Sequence, residues 1–64
     1  MTALKKLRLR SGMTQQELAE KLHVTQGAVS QWELGGSSPT VRKLPEIARL
    51  FECTVDELLQ EADA

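Results

Sequence analysis

The stretch that decides the fold is residues 15–33, which read QQELAEKLHVTQGAVSQWE. Its apolar residues fall into two groups with a short break between them. Leu18 and Leu22 lie one helical turn apart in the first group, and Val29 and Trp32 lie three residues apart in the second. Because residues three and four apart share one face of a helix, the spacing predicts two short helices, each with one buried stripe, joined by a tight turn.

The outward face of the second predicted helix has an unusual composition. Its residues are uncharged and either small or amide-bearing: Thr25, Gln26, Gly27, Ala28, Ser30 and Gln31. A solvated helix face normally carries Lys and Glu. Amide and hydroxyl groups are the kind that hydrogen-bond to base edges in the major groove. The composition therefore indicates a helix that reads DNA.

Helix-capping residues place the first, second and fifth helices. We expect helix 1 at about Ala3–Arg10, ending at the Ser11-Gly12 pair. A capping-box sequence, in which Thr is followed three residues later by Glu, occurs before two apolar segments. The two boxes are Thr14 with Glu17 and Thr54 with Glu57.

Helices 3 and 4 are expected on either side of the loop-like residues 35–39, GGSSP. We expect Thr25 to cap helix 3 and Thr40 to start helix 4. Pro45 lacks a backbone N–H, so the regular part of helix 4 is expected to begin only near Leu44. No strand-period run occurs, and the pattern predicts an all-α bundle. The inward residues expected on helix 4 are Val41, Leu44, Ile47, Ala48 and Phe51.

The chain resembles the phage repressor and Cro-type helix-turn-helix family, also called XRE-like, over nearly its whole length. The matching segments are LKKLRLRSGMTQQELAEKL for the family's first two helices, VTQGAVSQWELG for its turn and recognition helix, and PTVRKLPEIARLF followed by TVDELL for its last two. The resemblance implies one compact, five-helix, lambda-repressor-like DNA-binding domain over residues 1–64. It places the helix-turn-helix at helices 2 and 3, with helix 3 as the recognition helix.

The resemblance also implies which residues contact DNA. The base-reading positions are Thr25, Gln26, Gly27 and Gln31. The phosphate-binding positions are Gln15, Ser30, Ser37, Ser38, Thr40, Arg42 and Lys43. The residue chemistry agrees at two points: a Gln amide can pair with adenine, and the free amides at the start of helix 2 favour an anion beside Gln15.

Other interpretations of these residues stay open. Gln26 and Gln31 suit solvated amides, and Arg42 and Lys43 suit solvated charges. Gly27 has no side chain, so either the helix approaches the DNA closely there or one base contact has been lost.

Further residues are expected to have structural roles. By the resemblance, Arg8 and Glu33 form an ion pair that fixes helix 3 against helix 1, and Arg8 has a phosphate as a second possible contact. The spacing of Trp32 from Val29 indicates the core. His23 stands where the family favours Gly, which predicts a left-handed backbone there. Cys53 is expected to be a small buried filler.

Composition narrows the class of protein. The single Cys excludes a disulfide framework, and no apolar run approaches the roughly 18 residues of a membrane span. No signal peptide is visible, so we expect a cytoplasmic protein. A chain of 64 residues leaves no room for an effector pocket, and one Cys and one His make no metal site, so we expect no cofactor, metal or small-molecule ligand. The net charge of −1 is unevenly distributed along the chain. Residues 1–10 carry four Lys and Arg, and residues 51–64 carry five Asp and Glu. Such a chain can present one attractive face to phosphate, although ordinary surface charge also explains it.

The sequence thus predicts a specific double-stranded DNA-binding transcriptional regulator, expected to be a repressor. A helical protein-protein interaction module and a small hydrolase-like enzyme are the alternatives. The first should expose an apolar surface, and the second needs a nucleophile, base and orienting partner that are not evident. We expect a homodimer on DNA, with its contact in the loop after helix 3 or in helix 5. Val55, Leu58 and Leu59 are candidates, and a core role suits them equally.

Overall fold

Five α-helices joined by short turns make up residues 2–59, the part of the chain that the computed structural model describes. The helices are α1 Thr2–Arg10, α2 Gln15–Leu22, α3 Gln26–Leu34, α4 Lys43–Leu50 and α5 Val55–Leu59. These residues contain no strand. The prediction of an all-α, five-helix domain is confirmed. None of these helices is long and apolar enough to cross a membrane.

The predicted helix starts are confirmed by their hydrogen bonds. The Thr14 hydroxyl accepts from the Glu17 backbone N–H at 3.0 Å, while the Glu17 carboxylate accepts from the Thr14 N–H at 2.8 Å. Thr54 and Glu57 make the same two bonds, at 3.1 and 2.8 Å. At α3 the Thr25 hydroxyl accepts from the Ala28 N–H at 3.1 Å. Each threonine satisfies a backbone donor that has no partner inside the helix.

The helices α1 to α4 end in the same way. A residue with a left-handed backbone lies one or two positions after each helix end, and the N–H of the residue after it donates back to a carbonyl in the last turn of the helix, as in the Schellman motif. The left-handed residues are Gly12 (φ 72°), His23 (φ 59°), Gly35 (φ 88°) and Glu52 (φ 56°). The left-handed conformation of His23 was predicted, whereas that of Glu52 was not. Both non-glycine residues bear a steric cost there.

The core draws side chains from all five helices. Leu4, Leu18, Val29, Ile47 and Leu58 are completely buried. The other buried apolar residues are Ala19, Leu22, Trp32 and Ala48. Trp32 keeps only 6% of its surface exposed, which confirms its predicted core position. Cys53 is half-buried against this core, close to the filler role expected of it.

The start of α4 lies close to the predicted one. The helix begins at Lys43, one residue before the expected start, and Pro45 is its third residue. Backbone N–H groups in the first turn have no partner within the helix, so the proline removes no hydrogen bond. Val41 lies in the turn before α4 and is 82% exposed, so its assignment to the inward stripe was wrong. Thr40 does lead into the helix, because its hydroxyl accepts from the Lys43 N–H at 3.3 Å.

Candidate nucleic-acid interface

The side chains of Gln15 and Gln26 meet across the turn between α2 and α3. Gln26 Nε2 donates to Gln15 Oε1 at 3.2 Å. Each glutamine is the first residue of its helix, so the two helix starts lie side by side. The first N–H groups of a helix lack partners within it and form the positive end of its dipole. The two starts together therefore favour a negatively charged group.

Behind this glutamine pair, a row of polar groups leads into the protein. Gln15 Nε2 donates to Glu33 Oε1 at 3.0 Å. Arg8 donates to both carboxylate oxygens of Glu33, from Nε at 2.7 Å and from Nη2 at 3.1 Å. Arg8 Nη1 donates to the Met13 carbonyl at 2.9 Å. Hydrogen bonds thus connect the exposed start of α3 to α2, α1 and the turn between them.

The ion pair of Arg8 and Glu33 lies mostly out of solvent. The exposed fractions of the two side chains are 10% and 3%. Burial raises the pKa of Glu33, but the hydrogen bonds from Arg8 and Gln15 and the charges of Arg8 and Lys5 outweigh it, and the pKa lies below its ordinary value. The hydrogen bond to Glu33 raises the pKa of Arg8. All three guanidinium nitrogens of Arg8 donate within the protein, so this side chain joins α1 to Glu33 of α3 and to the turn before α2.

The predicted base-reading residues share the outward side of α3. Thr25, Gln26, Gly27 and Gln31 are exposed. A Cβ built on Gly27 would meet only the Thr25 hydroxyl, at 3.9 Å, so nothing within the protein requires a glycine there. Ala28 is half-buried and packs against the core, so its placement on the outward face was wrong. Ser30 is also half-buried.

The predicted phosphate-binding residues divide into two groups. Ser37, Ser38, Thr40 and Arg42 are exposed in the connection between α3 and α4. Lys43 is different, since its ammonium donates to the Leu22 carbonyl at 2.7 Å and pairs with Glu46 at 3.2 Å. A cation at the end of a helix satisfies a terminal carbonyl and the negative end of the dipole. Lys43 therefore ties α4 to the end of α2.

The predicted dimer-contact residues differ in their exposure. Leu58 is completely buried, so it belongs to the core and has no surface to offer a partner. Val55 is half-buried, and Leu59 is 55% exposed. Leu34, which was not among the predicted contact residues, is 77% exposed at the end of α3. Its position beside the two glycines of the loop was the available signal.

The sequence comparisons agree with this geometry. The model of the helix-turn-helix family matches residues 4–58, a range that runs from α1 into α5. The chain belongs to the XRE-like helix-turn-helix family. In this helix-turn-helix domain, α2 and α3 are the two helices of the motif, and the turn between them contains His23.

Three relatives of the helix-turn-helix domain come from bacteria. The HTH-type transcriptional activator BcrR of Enterococcus faecalis is 43% identical over 88% of this chain and 28% of its own length. The uncharacterized HTH-type transcriptional regulator YqaE of Bacillus subtilis is 37% identical over 89% of this chain and 49% of its own length. For the HTH-type transcriptional regulator DicA of Escherichia coli the identity is 39%, over 64% of this chain and 30% of DicA. The chain thus spans half or less of the length of these relatives. No solved structure gives a significant match.

Proposed function

We propose that the helix-turn-helix domain is the DNA-reading part of a transcriptional regulator, and that it recognises a specific duplex sequence with α3 in the major groove. The observation that carries the proposal is the exposed, uncharged amide face of α3 beside the paired starts of α2 and α3. Membership of the family supports it, as do relatives that are named as HTH-type transcriptional regulators. The family is one of regulators, not of enzymes.

Gln26 suits adenine because of the hydrogen bond it already makes. One N–H of its amide donates to Gln15, which leaves a second N–H and the amide oxygen. Adenine presents N7 as an acceptor and N6 as a donor, the complement of those two groups. We assign base reading also to Gln31, with Thr25 and Gly27 as the other base-facing positions.

Gln15 suits a phosphate for a similar reason. Its oxygen accepts from Gln26, and one of its two N–H groups donates to Glu33, which leaves one donor. This single donor belongs to the first residue of α2, beside the start of α3. Gln15 would therefore orient Gln26 and also fix the register of the domain on the DNA backbone.

The other proposed phosphate contacts come from α3, from the loop after it and from the first residue of α4. Arg42 offers the charge, and the hydroxyl groups offer neutral donors. Lys43 contributes its charge while it holds the end of α2. The hydroxyl residues in this set are Ser30, Ser37, Ser38 and Thr40.

We propose that two copies of the chain bind one site. One recognition helix covers only a few base pairs, and a genome offers many competing sites, so a single module of this size supplies too little specificity. Leu34 and Val41 flank the loop after α3, at 77% and 82% exposure, and form the proposed contact. The two recognition helices would then lie in successive major grooves, about 34 Å apart.

The stoichiometry of the complex tests the dimer. We expect two proteins on a full near-palindromic site, and a shift toward one protein when Leu34 is replaced by Ser. Leu9 is 58% exposed on α1, and Leu9→Ser is the matched control, which should leave the stoichiometry unchanged. One wild-type protein per full site, with unchanged half-site affinity, would contradict the dimer.

We propose repression as the mode of regulation and the cytoplasm as the location. A small domain that occupies DNA excludes other proteins from the same site, which is sufficient for repression. BcrR is named an activator, so whether this domain represses or activates transcription needs its own test. Transcription in vitro from a template carrying the selected site should fall when the protein is added, and a rise would overturn repression.

Selection of bound duplexes from a random pool tests the proposed function directly. We expect enrichment of one near-palindromic sequence. An unenriched pool would contradict sequence-specific binding and would favour the interaction module instead.

A further inference from the structure

The turn after α3 differs from the three other Schellman turns among residues 2–59 in one respect. In each turn, the residue after the left-handed one donates its N–H to a carbonyl five residues earlier. The bonds are Met13 to Arg8 at 3.1 Å, Val24 to Ala19 at 3.0 Å, Gly36 to Gln31 at 2.9 Å and Cys53 to Ala48 at 2.9 Å. The donor residues of the other turns, Met13, Val24 and Cys53, carry side chains that pack against the core. Gly36 carries none.

The side chain of Gln31 occupies the space that a side chain at Gly36 would need. A Cβ built on Gly36 would overlap Gln31 Oε1 and lie 3.3 Å from Gln31 Cδ. The third nearest atom is the Gln31 carbonyl oxygen, at 3.9 Å. All three neighbours thus belong to one residue. The Gln31 carboxamide folds back from α3 onto the backbone of the turn.

The backbone of the turn does not require glycine at this position. The left-handed conformation belongs to Gly35, and Gly36 is not among the residues with positive φ. An alanine at 36 therefore meets no backbone strain, and the only group it displaces is the end of a flexible side chain. What Gly36 contributes is space, not conformational freedom.

We propose that Gly36 determines sequence specificity by acting through Gln31. The absent side chain lets the Gln31 carboxamide rest on the turn, which fixes where its donor and acceptor meet the DNA. This inference rests on the proposed function, because it concerns base reading by Gln31. Hydrogen bonds weaken over a few tenths of an ångström, so a displaced carboxamide meets a different base edge or none. Gly36 is a positioning residue, and Gln31 makes the contact.

The test is a double-mutant cycle read by base preference. The proteins are wild type, Gly36→Ala, Gln31→Ala and the double variant, each compared on the selected duplex and on its single-base variants. We expect Gly36→Ala to change the preference at the base pairs that Gln31→Ala relaxes, by about tenfold. In the Gln31→Ala background, Gly36→Ala should leave the base preference unchanged. Ser38→Ala is the control in the same loop, and it should weaken binding to all duplexes alike.

Two outcomes would overturn the inference while leaving the proposed function intact. One is a wild-type preference profile for Gly36→Ala when Gln31→Ala alters that profile. The other is a change of base preference by Gly36→Ala that is equally large in the wild type and in Gln31→Ala. If the wild-type protein prefers no sequence, the specificity role of Gly36 and the proposed function both fail.

The free protein gives a readout that does not depend on DNA. In the wild type, the Gln31 side-chain amide should show a nuclear Overhauser contact to the Gly36 α-protons. The contact should be lost in Gly36→Ala without any fall in the thermal midpoint, because an alanine that meets no backbone strain also reduces the freedom of the unfolded chain. A wild-type amide without this contact would overturn the geometry on which the inference rests.

Discussion

Arg8 of α1 holds Glu33 of α3 by two hydrogen bonds, at 2.7 and 3.1 Å. The two residues are 25 positions apart in the sequence, so the pair fixes the recognition helix against a helix that lies outside the helix-turn-helix motif. Gln15 makes a further hydrogen bond to Glu33, and the Met13 carbonyl accepts one from Arg8. The orientation that we propose for α3 on DNA would thus depend on a pair that is not among the proposed base-reading residues.

Arg8 and Glu33 should be coupled in stability. Replacement of either by Ala leaves the other charge buried without its partner, and we expect each single change to cost about 3 kcal/mol of the free energy of unfolding. The double change should cost less than the sum of the two, with an interaction energy above about 0.5 kcal/mol. Urea unfolding of the four proteins measures the cycle. Additive single effects would refute the coupling.

The stability of the domain should fall in acid through Glu33. Its pKa in the folded protein is lowered, so its contribution is complete above the unfolded pKa of about 4.3 and is lost as the pH falls through the folded value. Thermal unfolding from pH 7 to pH 3, compared between wild type and Glu33→Gln, measures this contribution. The stability gap between the two proteins should narrow below about pH 4.3. A gap that is constant over this range would contradict the prediction.

His23→Gly should stabilise the domain. His23 adopts φ 59° and ψ 44°, a conformation that costs an L-residue about 1–2 kcal/mol and costs glycine almost nothing. The glycine also adds freedom to the unfolded chain, so we expect a net gain of about 0.5–1 kcal/mol in chemical denaturation. The matched control is Gly35→Ala at the equivalent position after α3, where φ is 88°, and it should destabilise. A loss of stability in His23→Gly would indicate that the imidazole has a role of its own.

Arg42 and Lys43 should behave differently although they are neighbours. Arg42→Ala should reduce the salt dependence of DNA binding by about one counterion and leave stability unchanged, because Arg42 is an exposed side chain. Lys43→Ala should also lower stability, because it removes the bond to the Leu22 carbonyl at the end of α2. Salt titrations and thermal unfolding of both variants separate the two roles.

The exposed Lys21→Ala is the charge control for this comparison, and it should leave stability unchanged. An unchanged salt slope in Arg42→Ala would mean that this side chain is merely solvated.

Local rules in the sequence predicted the helix starts. They failed to predict which side chains are buried, because tertiary packing determines burial. Thr14 with Glu17 was predictable because a capping box needs only four consecutive residues. Leu58 was ambiguous, since a five-residue helix has too few positions for periodicity to distinguish a core side chain from an exposed one. Val41 continued the apolar spacing of α4, but the chain is not yet helical at that point.

The sequence indicates which residues belong to the candidate site, but it does not indicate which contacts they make within the protein. The amide-rich composition of α3 pointed to its outward face without any knowledge of the fold. The bond of Lys43 to Leu22 joins residues 21 positions apart, and no local pattern encodes it. The folding of Gln31 onto Gly36 likewise depends on how the turn after α3 closes.

The most direct test of base reading by α3 is competition binding of Gln26→Ala and Gln31→Ala. The selected duplex and a random duplex are compared at one salt concentration. Each substitution should cost about 1–3 kcal/mol on the selected duplex and much less on the random one, because a base contact carries sequence information and a phosphate contact does not. Equal losses on both duplexes would contradict the account, because α3 would then bind the DNA backbone without reading its sequence.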